Sequence, residues 1–428
     1  MSTETQPAAS SEGPVTAAAA AMTRPPSVRS YFTDYFDKVR GGDIGALPAI
    51  LGLIVLGVVF GSLRSTFIGA GNFANLLTQG ASIAVIAMGL VFVMLLGEID
   101  LSAGFASGVC ASVLAILLSP KHNVSLPVAL AAALATGLAI GLLLGTLVAR
   151  VGIPSFVVTL AAFLAFQGIV LIIVGEGGVV TINDDVIKGI ANDNMAPALG
   201  WALWAVSIIA YAALLIRRAA SRRAKGLTAE PIPVVAARIG ALAAITGAAV
   251  FILNQERAIN RNITSLKGVP YVVPLIVVLL VVLTFVLNRT SYGRHIYAVG
   301  GNAEAARRAG INVKWIRTSV FVIGSTMAAI GGIIAASRAS SVDPNAGGGN
   351  TLLYAVGAAV IGGTSLFGGK GKVRDAILGA AVVAVIANGM GLLGYKSGVQ
   401  FIVTGLVLLI AASVDALSRR RSAATGKI

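Results

Sequence analysis

Residues 76–104 read LLTQGASIAVIAMGLVFVMLLGEIDLSAG, and they indicate a membrane-spanning helix. No charged side chain occurs in residues 76–97, and a helix of about 20 mostly apolar residues is long enough to cross a bilayer. Glu98 and Asp100 follow at once, between Gly97 and Gly104. The pattern predicts a spanning helix that ends at a short acidic segment bounded by glycines.

The same apolar pattern recurs along the chain of 428 residues, which is 57% hydrophobic and only 11% charged. Its mean hydropathy of +0.90 leaves too little polar surface to cover a water-soluble globule. We therefore predict an all-α, polytopic membrane protein with about 10–12 transmembrane helices. The candidate runs lie near 46–63, 76–97, 103–118, 126–148, 155–174, 201–216, 233–253, 269–288, 318–337, 351–367, 376–394 and 398–416.

The distribution of basic residues predicts the orientation in the membrane. If every run crosses and the N-terminus is inside, most of the 32 Lys and Arg residues fall on the inner side. Both termini are then cytoplasmic, and the net charge of +15 needs no nucleic acid to explain it. Residues 1–45 are expected to be a largely disordered tail, since their one apolar run is too short for a signal peptide. Residues 417–428 are expected to be a basic tail.

Several kinds of chemistry are missing from the sequence. The stretch from Gly363 to Lys372 fails the phosphate-loop pattern, because Gly371 stands where a hydroxyl residue should follow Lys370. No catalytic motif and no metal-ligand spacing occurs, and a single cysteine, Cys110, cannot form an intrachain disulfide. We expect a chain that is not an enzyme, with no catalytic residues and no metal site.

The acidic segment GEIDLSAG allows two interpretations. Its two carboxylates, Ser102 and the flanking glycines suit an unwound, hydrogen-bonded break within the membrane, and they suit a tight polar turn at the membrane surface equally well. An ion-coupled secondary carrier that uses Glu98 and Asp100 as its ion site is the alternative from a different transport class.

A diverged internal repeat is also predicted. Gly97–Gly104 and Gly362–Gly369 share Gly, Leu and Gly at matching positions, and each stretch follows an apolar run. Phe156–Thr159 and Phe401–Thr404 repeat the pattern F-[VI]-V-T in the same order. Repeats of transporters commonly place the substrate path at their mutual interface.

Three motifs resemble one known family. GEIDLSAG is similar to the signature G-G-I-D-L-S-V-G of the membrane permease subunits of bacterial ABC importers for monosaccharides of the ribose, galactose and xylose type. Residues 292–313 resemble the cytoplasmic coupling loop of these permeases, and Gly362–Gly371 resembles a third conserved stretch. Glu98 departs from the usual Gly, and Ala309 departs from a common Ser. The length of the chain is most like the xylose-type branch.

The resemblance implies a function and partners. The chain would be a multi-pass protein of the bacterial inner membrane that moves a monosaccharide inward, and it would bind no cofactor itself. ATP and Mg would belong to a separate ATPase subunit with tandem nucleotide domains. An extracytoplasmic sugar-binding protein and a second permease copy would complete the transporter. A permease for branched-chain amino acids or nucleosides is the alternative within the same class.

The resemblance also implies a domain plan and functional residues. Residues 46–416 would form the permease domain, with 201–253 as an extra helical hairpin and 289–317 as the cytoplasmic coupling loop. The predicted residues of the substrate path and its structural motif are Gly97, Glu98, Asp100, Ser102, Gly104, Gly362, Gly363, Ser365 and Gly369. The predicted ATPase-coupling residues are Asn302, Glu304, Ala305, Ala306, Gly310 and Ile311.

Overall fold

A computed structural model describes residues 45–227, 229–258, 260 and 265–424. Its helices are α1 (Leu47–Leu63), α2 (Ala70–Leu95), α3 (Ala103–Leu118), α4 (Leu126–Thr146), α5 (Ser155–Val174), α6 (Asp185–Asn192), α7 (Pro197–Ala224), α8 (Ile232–Leu253), α9 (Val272–Arg289), α10 (Ser291–Gly301), α11 (Ala303–Arg308), α12 (Val313–Ala339), α13 (Gly349–Gly362), α14 (Val373–Leu392) and α15 (Ser397–Ala424). Two short strands, β1 (Val180–Thr181) and β2 (Ser341–Val342), form an antiparallel pair.

Within these residues, eight helices are long and apolar enough to cross a membrane: α2, α4 with the π-helical turn Leu147–Val151 that extends it, α5, α7, α8, α9, α12 and α14. Shorter apolar helices cover 47–63, 103–118, 350–362 and 397–413. Together they account for the predicted apolar runs, so the all-α polytopic class is confirmed. The predicted N-terminal tail lies outside the described residues apart from Gly45, and α15 extends the last predicted run to Ala424.

The chain divides into two compact units, and Trp201–Ala249 forms the described part of the smaller one. In this unit α7 and α8 are joined by Trp204, whose Nε1 donates to Thr246 Oγ1 at 3.1 Å. The predicted hairpin, 201–253, extends past this unit. Leu253 belongs to the larger unit, where it is buried in a cluster with Met195 and Val269.

In the larger unit, α12 packs along α2, α3 and α4. Lipid tails are as apolar as leucine, so spanning helices associate through close packing of small residues. Gly137, Gly141 and Gly145 form such a stripe on α4, at intervals of four residues. A Cβ added at Gly141 would lie 2.5 Å from Val322 Cα, and one at Gly145 would lie 2.8 Å from the Cα of Thr318.

The helices α2 and α12 run in opposite directions and are joined by polar contacts at both ends. At one end Arg338 Nη2 donates to Asn75 Oδ1 at 3.1 Å, and at the other Arg317 Nε lies 3.1 Å from Glu98 Oε1. We call the Glu98 end the inner end and the Arg338 end the outer end, following the predicted orientation. The pairing of β1 with β2 is at the outer end, where these strands follow α5 and α12.

The predicted coupling loop, 289–317, is mostly helical in the structure: it contains α10, α11 and the start of α12. Side chains cap these short helices. Thr290 Oγ1 accepts from Gly293 N at 3.2 Å, Asn302 Oδ1 accepts from Ala305 N at 2.9 Å, and Asn312 Oδ1 accepts from Trp315 N at 3.0 Å. Such caps satisfy backbone N–H groups that a helix start leaves without partners.

Candidate functional site

The GEIDLSAG segment forms a non-helical turn between α2 and α3. Gly97 adopts φ +72° after the last turn of α2, and Glu98 N donates back to Val93 O at 3.3 Å. Asp100 is 2% exposed, and its Oδ1 accepts from Ser102 N at 2.9 Å and from Ser102 Oγ at 2.6 Å. The turn therefore supplies its own hydrogen bonds, and α3 begins directly after Ser102.

Helix α5 holds the same turn from the other side. Ile99 N donates to Ser155 Oγ at 3.2 Å, and Thr159 Oγ1 donates to Ile99 O at 3.2 Å. Thr159 ends the predicted repeat element Phe156–Thr159, so this element does contact the acidic turn. Among the described residues, Asp100 Oδ2 has no hydrogen-bond partner.

The second motif, Gly362–Gly369, forms a similar turn between α13 and α14. Gly363 adopts φ +115°, and Thr364 N donates back to Ala359 O at 2.9 Å. Ser365 Oγ then accepts from Phe367 N at 3.1 Å, as Asp100 accepts from the residue two positions later. The structural similarity is limited to these two turns. That the two halves of the chain are repeats of each other stays a prediction.

The two turns meet each other and the end of α10. Gly369 N donates to Leu95 O at 2.8 Å, and a Cβ added at Gly97 would lie 3.3 Å from Phe367 O. Tyr297 Oη donates to Gly371 O at 2.7 Å. We call residues 97–102, 363–372 and 297–301 the inner cluster. All three sequence motifs thus converge at the inner end.

Gly104 and Gly362 occupy close backbone contacts just beyond the turns. A Cβ added at Gly104 would lie 2.7 Å from Gly347 O, at the start of α3. Gly362 packs against the backbone of Asp375 so closely that a Cβ would overlap its carbonyl group. These two predicted residues serve helix packing in the structure.

The predicted coupling residues lie mainly on the exposed surface of the inner end. Glu304 makes ion pairs with Arg307 and Arg308, and their hydrogen bonds hold the pKa of the Glu304 carboxyl below its ordinary value. Asn302, Ala305 and Gly310 are exposed and Ile311 is half-buried. Ala306 is only 5% exposed, so it supports α11 from within and is not accessible to a partner.

An outer cavity of about 720 Å³ lies in the outer half of the larger unit. No residue of the predicted substrate-path motifs lines it. Its polar lining comes from α2, α3, α6 and the region from α12 to α13: Asn75, Thr78, Gln79, Ser82, Ser107, Asn192, Arg338, Ser341, Asp343, Asn345, Asn350, Thr351 and Tyr354.

Sequence reasoning missed this cavity, although α2 carries a signal for it. Asn75, Thr78, Gln79 and Ser82 stand three or four residues apart, on one face of an otherwise apolar helix. Farther along α2 the gap closes, because a Cβ added at Gly89 would lie 2.6 Å from Met327 Cβ and 3.0 Å from Gly324 O. The space between α2 and α12 is thus open in the outer half and packed shut toward the inner end.

Metal-binding side chains do not cluster in the part of the chain that the structure describes: no three His, Cys, Asp or Glu residues come together there. Cys110 is buried within α3.

Known proteins similar to this chain are permeases. Residues 72–412 match the family described as the permease component of branched-chain amino acid transport systems. The xylose transport system permease protein of Escherichia coli strain K12 is 38% identical over 83% of this chain and 87% of that protein. Its counterpart in Haemophilus influenzae is 33% identical over 90% of this chain and 99% of that protein.

The ribose import permease protein of Escherichia coli strain K12 is 30% identical over 86% of this chain and 92% of that protein. No solved structure matches the chain. These relatives confirm the resemblance to monosaccharide permeases, and the spanning helices make the chain a multi-pass protein of the bacterial inner membrane. The chain belongs to the family of transport-system permease components, as its three sequence motifs predicted.

Proposed function

We propose that this chain is the permease subunit of a monosaccharide ABC importer and moves xylose or a related pentose or hexose inward. Its relatives named for xylose and ribose support this proposal. The observation that carries it is the outer cavity, whose polar lining is mostly amide and hydroxyl groups. Neutral groups of this kind form hydrogen bonds to sugar hydroxyls and do not themselves form a proton relay.

The proposed sugar path enters at the outer cavity and is closed by the packing of α2 against α12 near Gly89. The cavity and the inner cluster then have different roles: the cavity receives the sugar, and the cluster transmits movement. Glu98 and Asp100 fit the second role, since Glu98 pairs with Arg317 and Asp100 stabilises its own turn.

A separate ATPase subunit would dock on α10 and α11, with its own ATP and Mg. This assignment is supported by the exposure of Asn302, Ala305 and Gly310, by the nearby positive charges of Arg307 and Arg308, and by the close contact of Gly300 on α10 with Leu95 at the end of α2. An extracytoplasmic sugar-binding protein would deliver the sugar at the outer end, and a second permease copy would complete the membrane part.

The function is tested by uptake of labelled sugar. The chain is reconstituted in lipid vesicles with the ATPase subunit and the sugar-binding protein of the proposed transporter, and ATP is placed on the ATPase side. We expect ATP-dependent uptake of xylose, with no need for a proton or sodium gradient. Uptake driven by an ion gradient without ATP would support the secondary carrier, and uptake of leucine or a nucleoside in place of xylose would support the other permease classes.

The docking assignment is tested at Gly310, which adopts φ +83° with no atom near the position of a Cβ. Gly310→Leu adds bulk to the proposed contact surface, and a left-handed conformation costs a side chain about 1–2 kcal/mol. Gly226→Leu is the matched control, because Gly226 has φ +67° and equally open surroundings in the predicted inner loop between α7 and α8. We expect ATP hydrolysis stimulated by sugar to fall only in Gly310→Leu, and equal loss in both variants would remove α10 and α11 from this role.

A further inference from the structure

The outer cavity contains side-chain amides whose orientation is set by other residues. Asn75 and Gln79 both line it from α2, one helical turn apart on the same face. An amide side chain has a carbonyl oxygen that accepts and an NH₂ group that donates. When the protein binds the carbonyl oxygen, the NH₂ group can donate to a ligand, and when the protein binds the NH₂ group, the carbonyl oxygen can accept from one.

The carbonyl oxygen of Gln79 is occupied by Asn388 of α14. Asn388 Nδ2 donates to Gln79 Oε1 at 3.4 Å, and Asn388 is 8% exposed and does not line the cavity. The reverse arrangement would leave the NH₂ group of Asn388 buried without an acceptor. In the observed arrangement only its Oδ1 lacks a partner among the described residues, and an unpaired carbonyl is the less costly defect.

Asn75 is oriented in the same sense by Arg338. Its Oδ1 accepts from Arg338 Nη2 at 3.1 Å, and a guanidinium group has no acceptor, so this pair cannot be reversed. Asn192 of α6 also lines the cavity and has the opposite orientation: its Nδ2 donates to Ser337 O at 2.7 Å, which leaves its Oδ1 as an acceptor.

We propose that the outer cavity binds the hydroxyl groups of a sugar between N–H donors on α2 and a carbonyl acceptor on α6, and that Asn388 and Arg338 are positioning residues that fix these donors. The proposal rests on the proposed function and deepens it. A hydroxyl group both donates and accepts, so a polyol can satisfy both sides of the cavity. A ligand that lacks the matching hydroxyl leaves a desolvated amide unpaired and binds more weakly.

The test uses the complete transporter in vesicles, with the sugar supplied at saturating binding protein. Uptake of xylose is compared with uptake of each monodeoxy-xylose in the original protein and in Asn388→Leu, which removes the donor to Gln79 at similar size. We expect discrimination against one monodeoxy-xylose to fall about 2- to 10-fold, the value of one hydrogen bond, while the other analogues keep their ratios. Asn388→Gln, which retains an amide donor, should recover part of the discrimination.

Ser325→Ala is the matched control. Ser325 Oγ on α12 is also buried without a partner among the described residues, and Ser325 does not line the cavity. This variant should keep every ratio, since a general packing defect would alter uptake of all analogues alike.

Unchanged ratios in an active Asn388→Leu transporter would overturn the proposal. If that variant fails to assemble, Gln79→Met replaces it, because it removes the proposed donor itself, and ratios equal to the original protein would again overturn the proposal. If the original protein takes up no monosaccharide at all, the proposed function fails, and the assignment of the cavity fails with it.

Discussion

The inner cluster and the outer cavity both join α2 to its neighbours, by different means. At the inner cluster backbones pack directly against each other: Gly369 N donates to Leu95 O at the end of α2, and Gly97 lies against Phe367 O. In the outer cavity side chains make the contacts, as between Asn75 and Arg338, around about 720 Å³ of open space. Added volume should therefore unfold the first region and obstruct the second.

The largest effect is expected from Gly300→Ala at the end of α10. A Cβ at Gly300 would overlap the carbonyl oxygen of Leu95, and a backbone atom cannot turn aside as a side chain can. Overpacking typically costs about 1–3 kcal/mol, and here the backbone of α2 itself must move. The melting temperature and the yield of monodisperse protein should both fall.

Gly301→Ala provides the control for this prediction, since it adds the same methyl group one residue later, where no atom lies within 4 Å. This variant should have the same melting temperature as the wild-type protein. Equal stability of the two variants would mean that α10 and α2 do not touch through Gly300.

A change in the outer cavity should act on transport and leave stability intact. Ala335 is exposed and lines the cavity, so Ala335→Phe places an aromatic ring in the proposed path. We expect sugar uptake to fall about tenfold, within the range that a steric penalty of 1–3 kcal/mol produces, at an unchanged melting temperature. Ala236→Phe adds the same ring at an exposed position of α8, outside the cavity lining, and should keep full uptake. Uptake that survives in Ala335→Phe would place the path elsewhere.

A smaller effect on uptake is expected from substitutions of Asp100, and they distinguish a structural role of its carboxylate from a role as an ion site. Asp100→Ala leaves the N–H of Ser102 without its acceptor, at about 1–3 kcal/mol, and should reduce the amount of folded complex. Asp100→Asn keeps an acceptor oxygen and should retain ATP-dependent uptake without any dependence on an ion gradient. A stable Asp100→Asn protein that transports nothing would favour the ion-coupled carrier or a direct sugar contact at this carboxylate.

The smallest effect is expected from removal of Trp201–Ala249, the helical unit that contributes no residue to the inner cluster or to the lining of the outer cavity. Asn254 Nδ2 lies 3.5 Å from Pro197 O, so the chain on either side can be rejoined by a short linker. The deletion must stop at Ala249, because Leu253 is buried in the larger unit. We expect near-normal uptake and correct insertion, whereas complete loss of uptake in a folded deletion protein would make this unit part of the transport machinery.

Some features of the molecule were predictable from the sequence, and others required coordinates. Long apolar runs determine helices in lipid, since every backbone polar group must be paired within the segment, and this accounts for the correct fold class. Motif order could not show that Gly97, Gly369 and Gly300 meet, because their contacts join positions far apart in the chain. The cavity carries no such sequence motif, because the polar face of α2 that lines it consists of neutral side chains among apolar ones.

The two arginines of α12 restrict how that helix can move. Arg317 and Arg338 are about 32 Å apart along the axis at 1.5 Å per residue, close to the thickness of about 30 Å of the hydrocarbon layer. Sliding α12 by one turn would move one guanidinium group about 5.4 Å toward the hydrocarbon layer, at a cost that snorkelling keeps below the roughly 2.5–3.5 kcal/mol of a charge at the centre of a spanning helix. Tilting or rotation keeps both charges at the membrane faces, so axial sliding is the motion that α12 resists most.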